Sequence, residues 1–114
     1  MTTKTIAMKS ISYKNIASPK GFQATGIHCG LKHKKKDLAL LVSDVPASVA
    51  GVFTTNAIKA APQLITKDVV YETGKMQAII VNAGNANACT GKQGMADAYM
   101  MQQLTADKLG IDSS

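Results

Sequence analysis

The sequence contains no tryptophan and no arginine, and only five of its 114 residues are aromatic. Every basic residue is a lysine, and eight of the thirteen lysines lie in residues 1–36, where no acidic residue occurs. Nucleic-acid-binding proteins usually combine arginine forks with stacking aromatic rings. The net charge of +6 therefore indicates a solvated basic surface, and we expect no nucleic-acid partner.

Cysteine and glutamate are also scarce: the chain has two cysteines, Cys29 and Cys89, and one glutamate, Glu72. Two distant cysteines make no disulfide framework, and a lone glutamate among scattered aspartates offers no carboxylate pair for acid–base catalysis. The N-terminal residues have no apolar signal segment, and no apolar run reaches membrane-spanning length. We expect a cytoplasmic protein with reduced thiols and no membrane partner.

The composition is that of a globular protein, with 46% hydrophobic and 18% charged residues, and the length corresponds to one domain or part of one. Residues 1–20 are polar and basic, and we interpret them as an N-terminal arm with an edge strand around residues 11–16. Residues 21–114 are interpreted as an incomplete domain. The aliphatic composition favours an α/β fold, with a mixed β-sheet and a covering helix.

Residues 21–54 are predicted to form an antiparallel meander of three strands. The segment 21–32 alternates in polarity, and "HKKKD" (33–37) is predicted to be an exposed turn. The continuous apolar run "LALLVS" (38–43) is typical of a strand covered on both faces. "DVPA" (44–47) has turn chemistry, and the third strand is expected in residues 48–56.

The second half alternates between strand and helix patterns. Residues 60–75 are ambiguous, because Pro62 is unsuited to a helix interior. "QLIT" resembles a short strand, and "KDVVYETG" is compatible with a turn or two of helix ending at Gly74. Residues 76–82 form a second buried strand. Residues 93–109 have helical periodicity, with a capping box between Thr90 and Gln93 and a left-handed Gly110. Two apolar sectors on this helix require two packing partners, and a returning strand is expected after it.

The stretch "VNAGNANACTGKQG" (81–94) has the layout of a phosphate-binding loop but not its spacing. Six residues separate Gly84 from Gly91, and Lys92 is followed by Gln93 instead of the serine or threonine that holds magnesium. The asparagines are suited to capping backbone groups in a tight loop. Ligands also collect at this edge of α/β sheets, so a purely structural loop and a pocket-lining loop both remain open.

Four potential metal ligands, His28, Cys29, His33 and Cys89, lack any metal-binding spacing. On a strand, His28 and Cys29 would point to opposite faces, so we expect a buried thiol and surface histidines. No nucleophile elbow and no cysteine–histidine pair can be recognised. We therefore assign no catalytic, cofactor-binding or metal-binding residue, and we expect no cofactor.

Taken in order, "GFQATGIHCGLKHKKKDLALLVSDVPASVAGVFTTN", "AAPQ" and "AIIVNAGNANACTGKQGMADAYMM" resemble the N-terminal portion of the glutamate N-acetyltransferase/ornithine acetyltransferase family of arginine biosynthesis. The resemblance runs from about Ser18 to Gly110, and "VNAGNANACTG" is its most specific element.

The resemblance implies an α/β/β/α sandwich and a precursor that cleaves itself before a threonine. The freed threonine takes the acetyl group from N-acetylornithine and passes it to glutamate, and some members also accept acetyl-CoA. A Thr-Gly pair forms the oxyanion hole. Neither motif lies within residues 1–114, because Thr54-Thr55 and Thr90-Gly91 match other positions of the family. The implied partners are therefore these small-molecule substrates and a C-terminal polypeptide of the same precursor.

The chain is accordingly expected to be a piece of an acetyl-transferring enzyme that is inactive alone. Two other functions remain open. One is a small stand-alone module that binds an anion or nucleotide through residues 82–92. The other is a fragment of a related aminopeptidase, whose nucleophile would be serine instead of threonine.

Overall fold

The computed structural model describes residues 15–113, which form one three-stranded sheet and two helices. The strands are β1 (Phe22–Ile27), β2 (Leu38–Ser48) and β3 (Lys75–Asn82). Helix α1 (Ala61–Glu72) precedes β3, and helix α2 (Gly91–Leu109) follows it. This is the mixed α/β architecture with a helical layer that the sequence predicts.

The sheet is an antiparallel meander in the order β1-β2-β3. Leu40 of β2 pairs with Thr25 of β1 on one side and with Ile80 of β3 on the other. The predicted meander therefore exists, but its third strand is wrong: it comes from residues 75–82 instead of 48–56. Beyond Ser48 the chain has no strand until Lys75.

The predicted turn at residues 44–47 is also wrong, because β2 continues through it with a shift in register between Val42 and Ala47. Pro46 lies inside this irregular stretch, where its missing N–H removes no ladder hydrogen bond. In the same stretch, the Asp44 N–H donates to the Gly21 carbonyl oxygen at 2.8 Å. A bulge thus accommodates the residues that resemble a turn.

Helix α1 resolves the ambiguous segment, and the short strand expected at "QLIT" is wrong. Pro62 lies in the first turn of the helix, where a backbone N–H has no helical partner and a fixed φ favours the helix. The helix ends as expected before Gly74, which has a φ of 61°. Its start has no side-chain cap, and the Ala61 N–H donates instead to the Asn87 carbonyl oxygen at 3.1 Å.

Helix α2 confirms the predicted helix and its left-handed end at Gly110, whose φ is 68°. The predicted capping box is wrong, because the Thr90 side chain does not cap the helix. The Thr90 hydroxyl donates to Asn87 Oδ1, and the Gln93 amide donates to Asp97 at 2.8 Å. The two side chains of the predicted capping box therefore bond Asn87 and Asp97 instead of each other's backbone.

The core of the described residues is small and lies between the helices. Ala61, Ile65 and Ala98 are buried together, and Met95 packs against them. Both helices also contact β3. No large side chain within residues 15–113 is fully buried.

The second face of the sheet is apolar and open to solvent. Ile79 is 45% exposed and Val81 is 54% exposed, and their partners in β2 are Leu41 and Ala39. The expectation that residues 38–43 are covered on both faces is therefore not met by the described part of the chain. On α2, the apolar side chains of Met100 and Leu104 are likewise exposed.

Of the predicted strand at residues 11–16, residues 11–14 lie outside the described part. Residues 15–18 form a turn, closed by the Ser18 N–H and the Asn15 carbonyl oxygen at 3.1 Å. Within residues 15–113, neither helix is both long and apolar enough to cross a membrane.

Candidate functional site: two loops at one end of the sheet

The loop between β3 and α2 (residues 83–90, the Asn-rich loop) is held by its own amides. Asn82 donates from Nδ2 to the Asn85 carbonyl oxygen at 3.0 Å, and Asn87 donates from Nδ2 to the Gly94 carbonyl oxygen at 2.7 Å. Asn87 Oδ1 accepts from the Thr90 hydroxyl. Together with the bond from Ala61 to its carbonyl oxygen, these contacts make Asn87 the joint between the starts of both helices.

Gly94 allows this joint to form. It is buried on α2, and a Cβ at this position would overlap Thr90 Oγ1, Thr90 Cβ and Asn87 Oδ1. Only a residue without a side chain permits the loop to lie this close to the helix.

A cavity of about 660 Å³ lies beneath the Asn-rich loop. Its floor is mostly apolar and its rim carries amide, hydroxyl and carboxylate groups. The lining residues are Leu31, Leu38, Pro62, Ile80, Asn82, Asn85, Ala86, Asn87, Thr90, Gln93, Gly94, Asp97, Ala98, Met101, Leu104 and Thr105. Several rim groups already bond one another, including Asn87 with Thr90 and Gln93 with Asp97. The rim is therefore largely satisfied within the protein.

The loop between β1 and β2 (residues 28–37, the basic loop) is organised around Asp37. This residue is only 3% exposed, so its assignment to an exposed turn is wrong. Its carboxylate accepts the Cys29 N–H at 2.7 Å and the Lys32 N–H at 2.9 Å. These two hydrogen bonds, the stronger from Cys29, hold the pKa of the Asp37 carboxyl well below its usual range.

His28 lies against the same carboxylate, with Nδ1 at 3.2 Å from Asp37 Oδ2 and 3.1 Å from the Lys35 carbonyl oxygen. Because both neighbouring atoms are acceptors, Nδ1 carries a proton. The imidazole is 42% exposed, which agrees with the expected surface histidine.

The backbone of Asp37 ties the same region to both neighbouring strands. Its N–H donates to the Ile27 carbonyl oxygen at 2.9 Å, and its carbonyl oxygen accepts the Ala83 N–H at 2.8 Å. Leu31 and Lys32 also lie against Gly84, where a Cβ would be 2.9 Å from Lys32 Cγ. One residue therefore connects the end of β1, the start of β2 and the Asn-rich loop.

The four potential metal ligands are not brought together: within residues 15–113, no group of three or more histidine, cysteine or acidic side chains could hold a metal ion. His28 and Cys29 lie in a loop and not on a strand. The expected buried thiol is wrong, because Cys29 and Cys89 are both exposed. A hydrogen bond with Asp37 raises the pKa of the Cys29 thiol and keeps it protonated.

Asp37 is the site residue that the sequence prediction missed. It is the first acidic residue of the chain and stands between a run of lysines and an apolar strand. That position is a usable signal for a carboxylate that caps a loop. The run of charge next to it instead suggested exposure.

The fold and its two anchored loops define a layered α/β scaffold with an apolar sheet face left open. Compared with known proteins, residues 23–114 match the model of the ArgJ family, and the chain belongs to that family. It corresponds to an N-terminal portion of the family's proteins, as the resemblance predicted.

The relatives are bifunctional proteins of arginine biosynthesis. The arginine biosynthesis bifunctional protein ArgJ of Staphylococcus epidermidis is 62% identical over 97 residues, which cover 85% of this chain and 24% of that protein. The Bacillus cereus protein of the same name is 53% identical over 111 residues, covering 97% and 27% respectively. The chain spans about a quarter of the length of these relatives.

Two solved structures share the fold. A crystal structure of arginine biosynthesis bifunctional protein ArgJ from Bacillus halodurans aligns with a TM-score of 0.83 and 50% identity, over 86% of this chain and 51% of that one. Ornithine acetyltransferase from Mycobacterium tuberculosis, solved in complex with ornithine, aligns with a TM-score of 0.79 and 43% identity, over 83% and 50%.

Proposed function

We propose that this chain is the N-terminal scaffold of an enzyme that transfers an acetyl group from N-acetylornithine to glutamate in arginine biosynthesis. Membership of the ArgJ family carries this proposal. It is supported by the ornithine bound to the acetyltransferase from Mycobacterium tuberculosis, which shares 43% identity with the chain.

In the proposed reaction, a threonine hydroxyl outside residues 1–114 attacks the acetyl carbonyl of N-acetylornithine. The amide C–N bond breaks, ornithine leaves with the proton on its amine, and the acetyl group remains as an ester on the threonine. The amine of glutamate then attacks this ester, and the threonine hydroxyl is restored. The threonine becomes available when the precursor cleaves itself, and its own α-amine acts as the local base.

The residues in hand are suited to a structural role in this enzyme. Thr90 donates its hydroxyl to Asn87, and the Thr54 hydroxyl oxygen accepts the Asn56 N–H at 3.2 Å. Within residues 15–113, neither hydroxyl is paired with a histidine or a lysine that would activate it. The Asn-rich loop connects the starts of the two helices through the Asn87 carbonyl oxygen and the Asn87 side chain, which supports a buttressing role beside an active site.

The exposed apolar face of the sheet supports the proposal that a C-terminal polypeptide of the same precursor packs against it. Ile79 and Val81 present apolar surface to solvent on this face, which monomeric proteins rarely leave open over a large area. A second sheet from the same precursor would cover it and complete the α/β/β/α sandwich. We further propose a cytoplasmic location, as for biosynthetic enzymes with reduced thiols.

The stand-alone anion-binding module has less support. In residues 82–92, through which that module would bind its ligand, the side chains of Asn82, Asn87 and Thr90 already bond groups of the protein itself. Titration of the chain with inorganic phosphate, followed by NMR, distinguishes the two functions. Saturable shifts confined to residues 84–93 would favour the module.

The proposed function is tested by assaying a family-length polypeptide that contains this chain. We expect it to form acetylglutamate and ornithine from N-acetylornithine and glutamate, and residues 1–114 alone to form neither product. A parallel reaction with acetyl-CoA as donor tells whether the enzyme has one activity or two. Amide hydrolysis without acetyl transfer would indicate the aminopeptidase instead, and turnover by residues 1–114 alone would contradict the scaffold role.

A further inference from the structure

The Asp37 side chain is buried among groups of the basic loop, and its backbone carbonyl oxygen bonds the Asn-rich loop. Its side chain is fully buried, although a carboxylate is costly to remove from water unless its oxygens are hydrogen-bonded. Here Oδ1 accepts the Cys29 N–H, Oδ2 accepts the Lys32 N–H, and His28 Nδ1 approaches Oδ2. The burial of this charge therefore depends on the basic loop keeping its present conformation.

The basic loop in turn forms part of the cavity under the Asn-rich loop. Leu31 lines that cavity together with Asn82 and Asn85. The Lys32 side chain lies over Gly84, so closely that a Cβ on residue 84 would displace it. The Asp37 carbonyl oxygen, through its bond to the Ala83 N–H, fastens the Asn-rich loop from behind. Both loops thus share one anchor.

We propose that Asp37 is a positioning residue for acetyl transfer: it holds the basic loop against the Asn-rich loop and so sets the shape of this end of the sheet. This role rests on the function proposed above. The cavity lined by Leu31, Asn82 and Asn85 lies at this end of the sheet, and a catalytic site requires a rigid supporting layer behind the groups that touch the substrate. Asp37 itself touches no substrate in this proposal.

The variant Asp37→Asn tests the role with little change in volume. An asparagine retains one acceptor oxygen but directs an NH₂ group towards a backbone N–H, so one of the two loop hydrogen bonds is replaced by a donor–donor contact. We expect the basic loop to detach and the Asn-rich loop to loosen with it. A displacement of about 1 Å at a site can reduce turnover by about a hundredfold.

The experiment uses the family-length polypeptide and compares Asp37→Asn with the control Asp44→Asn. Asp44 lies on β2, which begins directly after Asp37, and is exposed. Its carboxylate accepts a surface bond from Gln23 at 3.2 Å. Hydrogen exchange followed by mass spectrometry reports on residues 28–37 and 82–90 separately. Steady-state kinetics with N-acetylornithine and glutamate, measured well below the unfolding temperature, gives kcat and KM.

We expect Asp37→Asn to exchange faster in both segments and to lower kcat by about tenfold or more, whereas Asp44→Asn stays within about twofold of the unsubstituted enzyme. Faster exchange in residues 28–37 alone, or unchanged kcat and KM, would overturn the positioning role. An unsubstituted polypeptide without acetyl transfer would overturn the proposed function and this role together, whereas normal transfer in Asp37→Asn overturns only the role.

Gly84→Ala keeps the proposal testable if Asp37→Asn does not fold. Gly84 has a φ of 100°, which alanine adopts only with strain, and the added Cβ would lie 2.9 Å from Lys32 Cγ and 3.4 Å from the Leu31 carbonyl oxygen. The substitution therefore disturbs the contact between the loops from the side of the Asn-rich loop and leaves the carboxylate unchanged. A lower kcat together with faster exchange in residues 28–37 supports the role. Unchanged kinetics with altered exchange contradicts it.

Discussion

Replacing Gly94 by alanine should destabilise the protein, although alanine is the better helix former. Gly94 is a buried position of α2, and the added Cβ would overlap both Thr90 Oγ1 and Asn87 Oδ1. These atoms belong to the joint that holds the starts of both helices, so they cannot move without losing their own hydrogen bonds.

The expected magnitude follows from three contributions. Overpacking a closely packed site costs about 1–3 kcal/mol. Loss of the hydrogen bond from Asn87 Nδ2 to the Gly94 carbonyl oxygen, 2.7 Å long, costs about 1 kcal/mol more. The helix propensity of alanine over glycine returns about 1 kcal/mol. The free energy of unfolding should therefore fall by about 1–3 kcal/mol.

Urea unfolding followed by circular dichroism measures this change. The control Ala96→Gly is an exposed position of the same helix and should cost about 1 kcal/mol through propensity alone. In a Thr90→Gly background, the penalty of Gly94→Ala should shrink, because two of the three overlapping atoms are gone. A Gly94→Ala protein as stable as the unsubstituted one, or more stable, would refute the close contact on which the joint depends.

Three further predictions concern Asn87, Asp37 and Cys29. Asn87→Ala should lower the free energy of unfolding by about 1–3 kcal/mol, because it removes the side-chain bonds to Gly94 and Thr90; in the same urea titration, Asn85→Ala at an exposed loop position should change it by less than about 0.5 kcal/mol. The Asp37 carboxyl has a lowered pKa in the folded state, so it contributes stability above its unfolded pKa of about 4, and this contribution is lost as the pH falls through the folded pKa. The urea midpoint should therefore change less between pH 7 and pH 3 in Asp37→Asn than in the unsubstituted protein. An equal change in both proteins would contradict this. The Cys29 thiol has a raised pKa, so at pH 8 it should react with iodoacetamide more slowly than an unstructured peptide thiol. In Asp37→Asn it should react faster than in the unsubstituted protein. An unchanged rate in that variant would show that Asp37 does not hold the thiol protonated.

Strand β3 and helix α2 could be predicted because their signals are local. A continuous apolar run identifies β3, and helical periodicity closed by Gly110 identifies α2. Only the C-terminal part of helix α1 can be predicted from the sequence, because a proline such as Pro62 is unsuited to a helix interior. Its actual place in the first turn depends on where the helix begins, and that start is fixed by the distant Asn87 carbonyl oxygen.

The burial of Asp37 could not be read from its neighbours in the sequence. Four of the five residues before it are lysines, which favours exposure, whereas its hydrogen bonds come from backbone groups five and eight residues upstream. The family resemblance, in contrast, rested on motifs in order and predicted membership correctly. It did not extend to the loop contacts, which only the folded arrangement reveals.

We propose that the reactive residue of the family-length enzyme lies outside residues 1–114 and that residues 1–114 support it. The direct test is to incubate the family-length polypeptide with N-acetylornithine, stop the reaction in acid, and locate the acetyl group by peptide mass spectrometry. We expect one acetyl ester on a threonine outside residues 1–114. An acetyl group transferred to, and then released from, a side chain within residues 1–114 would contradict it.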